Sequence, residues 1–156
     1  MQDAIRVGLI SDTHGLVRPQ ALDALRGVEH IVHAGDIGTP EVLDSLRAIA
    51  PVVAVRGNND KGEWASAVPR DAVLELGGVC IYVLHDLKEL DLEPEAAEFG
   101  VVITGHSHRP SIERRENVLY VNPGSAGPRR FKLPVSVGFL EIANGAAQAR
   151  IEVLEV

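Results

Sequence analysis

Ile5-Arg6-Val7-Gly8-Leu9-Ile10-Ser11-Asp12-Thr13-His14 decides the fold: an apolar run from Ile5 to Ser11 reads as a strand and ends in a polar cluster. Arg18 to Gly27 follows as a helix, with Ala21, Leu22 and Leu25 on one face and a glycine at its end. Val28 to His33 then returns as a second strand, and the three segments make a βαβ unit. The device repeats over Pro40 to Ala50, where Thr39 is placed to cap, Pro40 takes the first helical position, and Val42, Leu43, Leu46 and Ile49 form a buried stripe. Pro51 stops that helix, and Val52 to Arg56 is the next strand. Such alternation is the pattern of an α/β domain.

Beyond Pro69 the pattern changes to strand pairs. Ala72 to Leu76 and Val79 to Leu84 flank Gly77-Gly78, a two-residue hairpin signal, so a second sheet is expected. A short helix around Pro94 to Phe99 precedes the strand Val101 to Thr104. Strands Val118 to Asn122, Val135 to Ile142 and Gln148 to Val156 follow, the last two joined by Asn144-Gly145. With no repeat or linker to divide it, the chain is expected to form one domain over 1–156, two packed sheets flanked by helices.

The bulk properties narrow the partners. A chain of 156 residues buries roughly two thirds of its unfolded surface and needs no disulfide staples. The single cysteine, Cys80, lies in the apolar run Val79 to Leu84 and reads as a buried core thiol. No apolar stretch approaches the ~18 residues of a membrane span, and Asp3 and Arg6 interrupt the N-terminus before a signal-peptide core develops. The expectation is a soluble, cytoplasmic protein without a membrane partner. A formal net charge of −7 opposes binding to a nucleic-acid backbone, and 4% aromatic residues provide little base-stacking surface. No nucleic-acid polymer is expected; a small molecule is. Homo-oligomerisation stays open.

Four polar clusters share one place, the C-terminal end of an apolar strand, where open α/β sheets build their sites. They are Ser11-Asp12-Thr13-His14, Gly35-Asp36, Gly57-Asn58-Asn59-Asp60 and Gly105-His106-Ser107-His108; His85 ends a fifth strand in the same way. Each places carboxylate, amide or imidazole donors beside a small residue, as loops converging on one ion require. In extended backbone Asp12 and His14 point to the same side and meet one cation, although alone the pair also fits a helix-capping carboxylate beside a surface histidine. His106 and His108 repeat that spacing with two imidazoles. Asp36 sits among Ile31, Val32, Ala34 and Ile37 and is the candidate bridge, one oxygen to each of two cations. Taken singly, Asn58 fits a left-handed turn and His85 a satisfied strand-end histidine. Seven donors at five successive strand ends are what point to metal.

In order, D-x-H, G-D, G-N-x-D, a strand-terminal His and G-H-x-H resemble the calcineurin-like metallophosphoesterases, above all the small single-domain bacterial and archaeal phosphodiesterases. The resemblance runs from about residue 5 to about residue 127 and includes Asn122-Pro123-Gly124-Ser125, similar to the family's closing N-P-G-S turn. It implies a four-layer α-β-β-α sandwich, an α/β (α+β) arrangement of two mixed sheets flanked by helices, with a dinuclear centre. Carried over by position, one metal falls to Asp12, His14, Asp36 and His108 and the other to Asp36, Asn58, His85 and His106. Asp36, Asn58 and His106 are the residues expected to matter most for catalysis. Manganese is the favoured ion; nickel, cobalt, iron, zinc and magnesium also suit the donors. Two divalent cations against two carboxylates leave a positive site that attracts a small phosphate ester, hydrolysed by a metal-bridging hydroxide.

The sequence departs from the pattern at two positions. Many phosphatases of the superfamily carry G-N-H-E, whose histidine protonates the leaving oxygen; Asn59 stands there, and an amide is no acid. That leans towards diesters over monoesters. Asp86 replaces the glycine that often follows His85 and fits either a ligand-orienting or a capping role. Asp60 likewise fits a ligand-orienting or a turn-capping role. His33 is read as a packing or ligand-supporting residue, His30 as surface, Trp64 as anchor or substrate contact, and Arg129, Arg130 and Lys132 as a solvated loop or a phosphate contact. A scaffold role is the alternative in another class, since one retromer subunit resembles this fold; degraded ligands would favour it, and none is degraded.

Overall fold

The alternating apolar runs form two five-stranded sheets in a computed structural model that describes residues 4–156; Asp3 lies outside the described residues. β1 (Ile5–Ile10), β2 (His30–His33) and β3 (Val52–Ala54) run parallel, with α1 (Pro19–Leu25) and α2 (Pro40–Arg47) as crossovers. β9 (Ser136–Ala143) pairs antiparallel with β1, and β10 (Ala146–Val153) completes the order β10-β9-β1-β2-β3. The second sheet has the order β4-β5-β6-β8-β7, from β4 (Asp71–Leu76), β5 (Val79–Leu84), β6 (Val101–Ile103), β7 (Ser111–Arg115) and β8 (Val118–Asn122). Both sheets are mixed, and the whole is an α/β sandwich.

Side-chain alternation decides which residues meet. Val7, Leu9, Val32, Leu140 and Ile142 from the first sheet pack against Ile81, Val83, Ile103 and Val121 from the second, closing the layer between the sheets. Ile31, Val137 and Phe139 face the other way, onto Ala21 and Leu25 of α1 and Val42, Leu43 and Leu46 of α2. At about 25 cal/mol per Å² of apolar surface, these two layers are the main favourable contribution to folding. On the outer face of the second sheet Tyr82, Leu84, Val102 and Val118 are covered by Leu87, Leu90, Leu92 and Phe99.

That outer layer corrects one expectation. Pro94–Phe99 is a succession of turns, closed by Ala97 N–H to Glu93 O (3.0 Å) and Phe99 N–H to Pro94 O (2.9 Å), and not a helix. Glu98 adopts φ +64°, which ends any helical run. Only a 3₁₀ turn, Leu87–Glu89, stands beside it. Thr39 occupies the N-cap of α2 without making the side-chain bond expected of it. Cys80 is half-buried, because alternation along β5 turns it to the outer face beside Tyr82. Both expected hairpins form with two left-handed residues at the turn, Gly77 and Gly78 (φ +57° and +80°) and Asn144 and Gly145 (φ +55° and +72°). Among the described residues no helix is long and apolar enough to cross a membrane.

Candidate metal centre

Loops leaving β1, β2, β3, β5 and β6 bring the carboxylates and imidazoles to one end of the sandwich. Within 4.8 Å of one another lie one ligand atom each from Asp12, His14 and His108, and from Asp12, Asp36 and His85. Asp36 Oδ2 is 3.8 Å from His14 Nε2 and 3.3 Å from His85 Nε2, so this oxygen stands between the two halves. Asp12 Oδ1 is 3.5 Å from His108 Nε2 and 3.8 Å from His85 Nε2, so Asp12 also touches both groups, which the residue-by-residue division gave to Asp36 alone. The rings of His14 and His108 stack at 5.4 Å, and those of His85 and His106 meet edge-on at 5.3 Å.

The backbone route differs from the extended one expected. Asp12, His14, Asp36, His106 and His108 all take left-handed φ, from +48° to +72°. In such turns the D-x-H and H-x-H pairs meet through tight loops rather than strand alternation. Two glycines make the approach possible. A Cβ on Gly57 would overlap the Asp36 carboxylate and backbone nitrogen, and one on Gly105 would overlap Ser11 Oγ.

Supporting bonds aim each donor. Ser11 Oγ–H (2.7 Å) and the His106 N–H (3.1 Å) both donate to Asp12 Oδ2, which turns Oδ1 inward. Asp36 accepts from the backbone N–H of Asn59 (3.0 Å) and from its side-chain amide (3.1 Å). His85 Nδ1–H donates to Ala34 O at 2.7 Å, which leaves the Nε2 lone pair facing the site. Asp60, buried, accepts from Ile37, Gly38 and Gly57 N–H, at 3.1, 2.9 and 2.9 Å, and so ties the Asp36 loop to the Asn58 loop. From the closing turn, Asn122 Nδ2 donates to Gly105 O (2.9 Å) and Ser107 Oγ (3.1 Å), while Ser125 Oγ donates to Asp12 O (3.1 Å).

Charge follows from this geometry. Burial pushes the Asp12 carboxyl up. Burial acts the same way on Asp36, but His85 and both Asn59 donors outweigh it and hold that carboxyl well below the usual range. His85 is opposed by burial, yet the adjacent Asp36 and Asp12 carboxylates raise it to about 9. Burial, with Arg130 beside it, lowers His108 to about 4.

The remaining sequence candidates divide. His106 is half-exposed, its Nε2 3.7 Å from Asp86 Oδ2, and Asn58 lies exposed at the mouth of a cleft beside His85. Neither is drawn in as tightly as Asp12 and Asp36, and it is Asn59 that touches Asp36. Asp86 caps the 3₁₀ turn by accepting from Lys88 N–H at 3.0 Å. His33 is fully buried, Nε2–H donating to Thr13 Oγ1 (2.9 Å) and Nδ1 accepting from Gly35 N–H (3.1 Å), so neither nitrogen is free for a cation. Trp64, on α3 (Glu63–Ser66), packs against the helix-side core as an anchor. The signal for Asp60 and Asn59 was in the G-N-x-D run, but apart from Gly57 their partners lie 22 or 23 residues away and only the folded loops reveal them.

The residues present fit divalent cations. Asp12 Oδ1, His14 Nε2, His85 Nε2 and His108 Nδ1 are buried polar atoms without a hydrogen-bond partner among the described residues. Orphaning such atoms is costly, and the Asp12, His14 and His85 atoms, which approach Asp36 or one another, are what a cation satisfies.

Two mixed sheets whose strand ends gather carboxylates and imidazoles define a class, the α/β sandwich with a candidate metal site. Residues 5–145 match the calcineurin-like phosphoesterase superfamily domain, and the chain belongs to that metal-dependent superfamily of phosphoester hydrolases. A probable metallophosphoesterase of Methanothermobacter thermautotrophicus is 36% identical over 160 residues, covering 93% of this chain and 90% of its own. A phosphodiesterase of Methanocaldococcus jannaschii is 26% identical over 139 residues, covering 77% of this chain and 83% of its own. In architecture the chain is similar to Vps29 of Chaetomium thermophilum, with a TM-score of 0.78 at 22% identity over 96% of both chains.

Proposed function

We propose that this chain is a two-metal phosphodiesterase acting on small phosphate esters. The observation that carries the reading is the convergence of unpartnered buried atoms of Asp12, His14 and His85 around the Asp36 carboxylate, with His108 Nε2 beside Asp12. Asp12, His14, Asp36 and His108 would hold one cation, and Asp36, Asn58, His85 and His106 the other. Bound there, the cations would supply Lewis-acid stabilisation of the phosphoryl oxygens and acidify a water, manganese being the ion favoured over nickel, cobalt, iron, zinc or magnesium.

The chain's own residues do the rest. Ser11 and the His106 N–H hold Asp12, Asn59 holds Asp36, and the Ala34 carbonyl fixes the His85 tautomer, so the donors are oriented before any ligand arrives. Asn59 occupies the place where an acid would stand and donates its N–H groups to Asp36 instead. Without that acid, leaving groups that need little protonation react fastest, which favours diesters and aryl esters over alkyl monoesters. The name of the M. jannaschii relative, a phosphodiesterase, agrees with this preference.

Turnover of bis(p-nitrophenyl) phosphate and p-nitrophenyl phosphate, measured with each metal in turn, tests the proposal. Activity on the diester that exceeds the monoester, and falls by at least ~100-fold in Asp36→Asn and His106→Ala, is the expected result. No turnover with any metal, or activity that survives both substitutions, removes it.

A further inference from the structure

A second cluster of binding groups borders the metal centre. Arg56 follows β3 of the first sheet and Arg70 precedes β4 of the second; the Arg56 N–H donates to Pro69 O at 2.7 Å, which fixes the two segments side by side. Both arginines line one cleft of about 200 Å³ together with His85, Asn58, Gly57, Asp60 and Glu89. Among the described residues neither guanidinium forms an ion pair or a side-chain hydrogen bond, although every ion pair to a carboxylate elsewhere engages another Arg or a His. Asp60 is no counter-ion for them, since its two oxygens accept the N–H groups of Ile37, Gly38 and Gly57. The one remaining carboxylate in the cleft, that of exposed Glu89, pairs with neither.

We propose that Arg56 and Arg70 form an anion subsite beside the metal centre, selecting phosphate esters whose substituent ends in a second compact oxyanion, a carboxylate or a phosphate. The proposal rests on the metal-centre reading, which places the scissile phosphoryl group against His85, with Asn58 at the mouth of the same cleft. Its volume is about six or seven times a water's share of the liquid, and below the roughly 300–1,000 Å³ of pockets that take drug-sized ligands. A short tether and a compact anion fit that space. Chemistry points the same way. A guanidinium presents paired N–H donors that match the two oxygens of a carboxylate or phosphate, and two arginines on adjoining segments of one cleft offer two such forks to one anion. A simple diester has one negative charge, which the metal centre already engages. It leaves both forks without a partner.

Calorimetric binding of ethyl phosphate, 2-phosphoglycolate and ethylene glycol bisphosphate to the manganese-loaded protein tests the subsite. At least one of the two probes with a second anion is expected to bind about tenfold or more tighter than ethyl phosphate, the increment of charge-assisted hydrogen bonds; which of them binds tighter identifies the preferred anion. In Arg56→Gln and Arg70→Gln the discrimination should fall below about threefold, while Arg70, being exposed, can be replaced without disturbing the core. Equal affinity for all three probes, or discrimination that survives both substitutions, overturns the subsite. Repeating the ethyl phosphate titration on metal-stripped protein separates the two readings. Binding that needs metal, with no preference for a second anion, sinks the subsite alone; binding indifferent to metal overturns the metal centre and the subsite with it.

Discussion

At five of the donor positions the backbone is left-handed and the residue is Asp or His rather than Gly, a conformation that costs on the order of 1–2 kcal/mol each and persists only where surrounding bonds over-determine it. Asp60 supplies three of those bonds from one carboxylate. Asp60→Ala leaves the N–H groups of Ile37, Gly38 and Gly57 without that partner, and should cost about 1–3 kcal/mol of stability by urea denaturation. An unchanged midpoint would contradict the role. The histidines set a pH signature in metal-stripped protein. His85 is raised to about 9 in the fold, so its contribution is present below the unfolded value near 6.5 and is lost as pH rises through 9. His33, lowered to about 3 chiefly by burial and then by His85, and His108, lowered to about 4, behave oppositely: their contribution is present above 6.5 and lost as pH falls. Thermal melts of the stripped protein should therefore peak near pH 6.5 and decline on both sides. The seven candidate donors were legible as polar residues ending apolar runs, and His33 as a packing residue. The bonds of Asn59 to Asp36, and of Asp60 to Ile37 and Gly38, were not, because each depends on a loop packed against it from elsewhere in the chain.

Among the elements, the turn after β8 does more than close a strand. Asn122 holds the loop that carries His106 and His108, and Ser125 holds the backbone of Asp12, so two donor loops from different sheets share one clamp. Asn122→Ala should lower kcat/KM on the diester about 10–100-fold, as loss of a ligand-supporting bond typically does, while melting cooperatively. Full activity in that variant would show that the loop holds itself. Strand and helix positions were read well where one face is buried: β5 and β8 match the expected bounds, and α1 and α2 are shorter only at their frayed ends. β7 escaped notice because Ser-Ile-Glu-Arg-Arg is exposed along its whole length, an edge strand with charged side chains and no apolar alternation to betray it. The helix expected at Pro94–Phe99 failed for the converse reason. Phe99 is the residue of that segment that packs on the outer face of the second sheet, and a turn delivers it as well as a helix does.

Across the whole molecule, the site exists because two sheets share one open end. The first sheet contributes Asp12, His14, Asp36 and Asn58, the second His85, His106 and His108, and the layer of Val7, Leu9, Val32, Ile81, Val83 and Ile103 fixes their separation. That partition was foreshadowed by the change of pattern beyond Pro69. What local sequence could not convey was the return of β9 and β10 to the first sheet, where β9 pairs with β1 across more than 120 residues and β1 becomes an inner strand. Cations bound at a centre assembled in this way would stabilise the folded state. The most direct test of the account is titration of Mn²⁺ into metal-stripped protein by calorimetry. Two ions bound per chain in the natural sequence, with both sites weakened in Asp36→Asn, is the result the account predicts; one ion, or none, would contradict it.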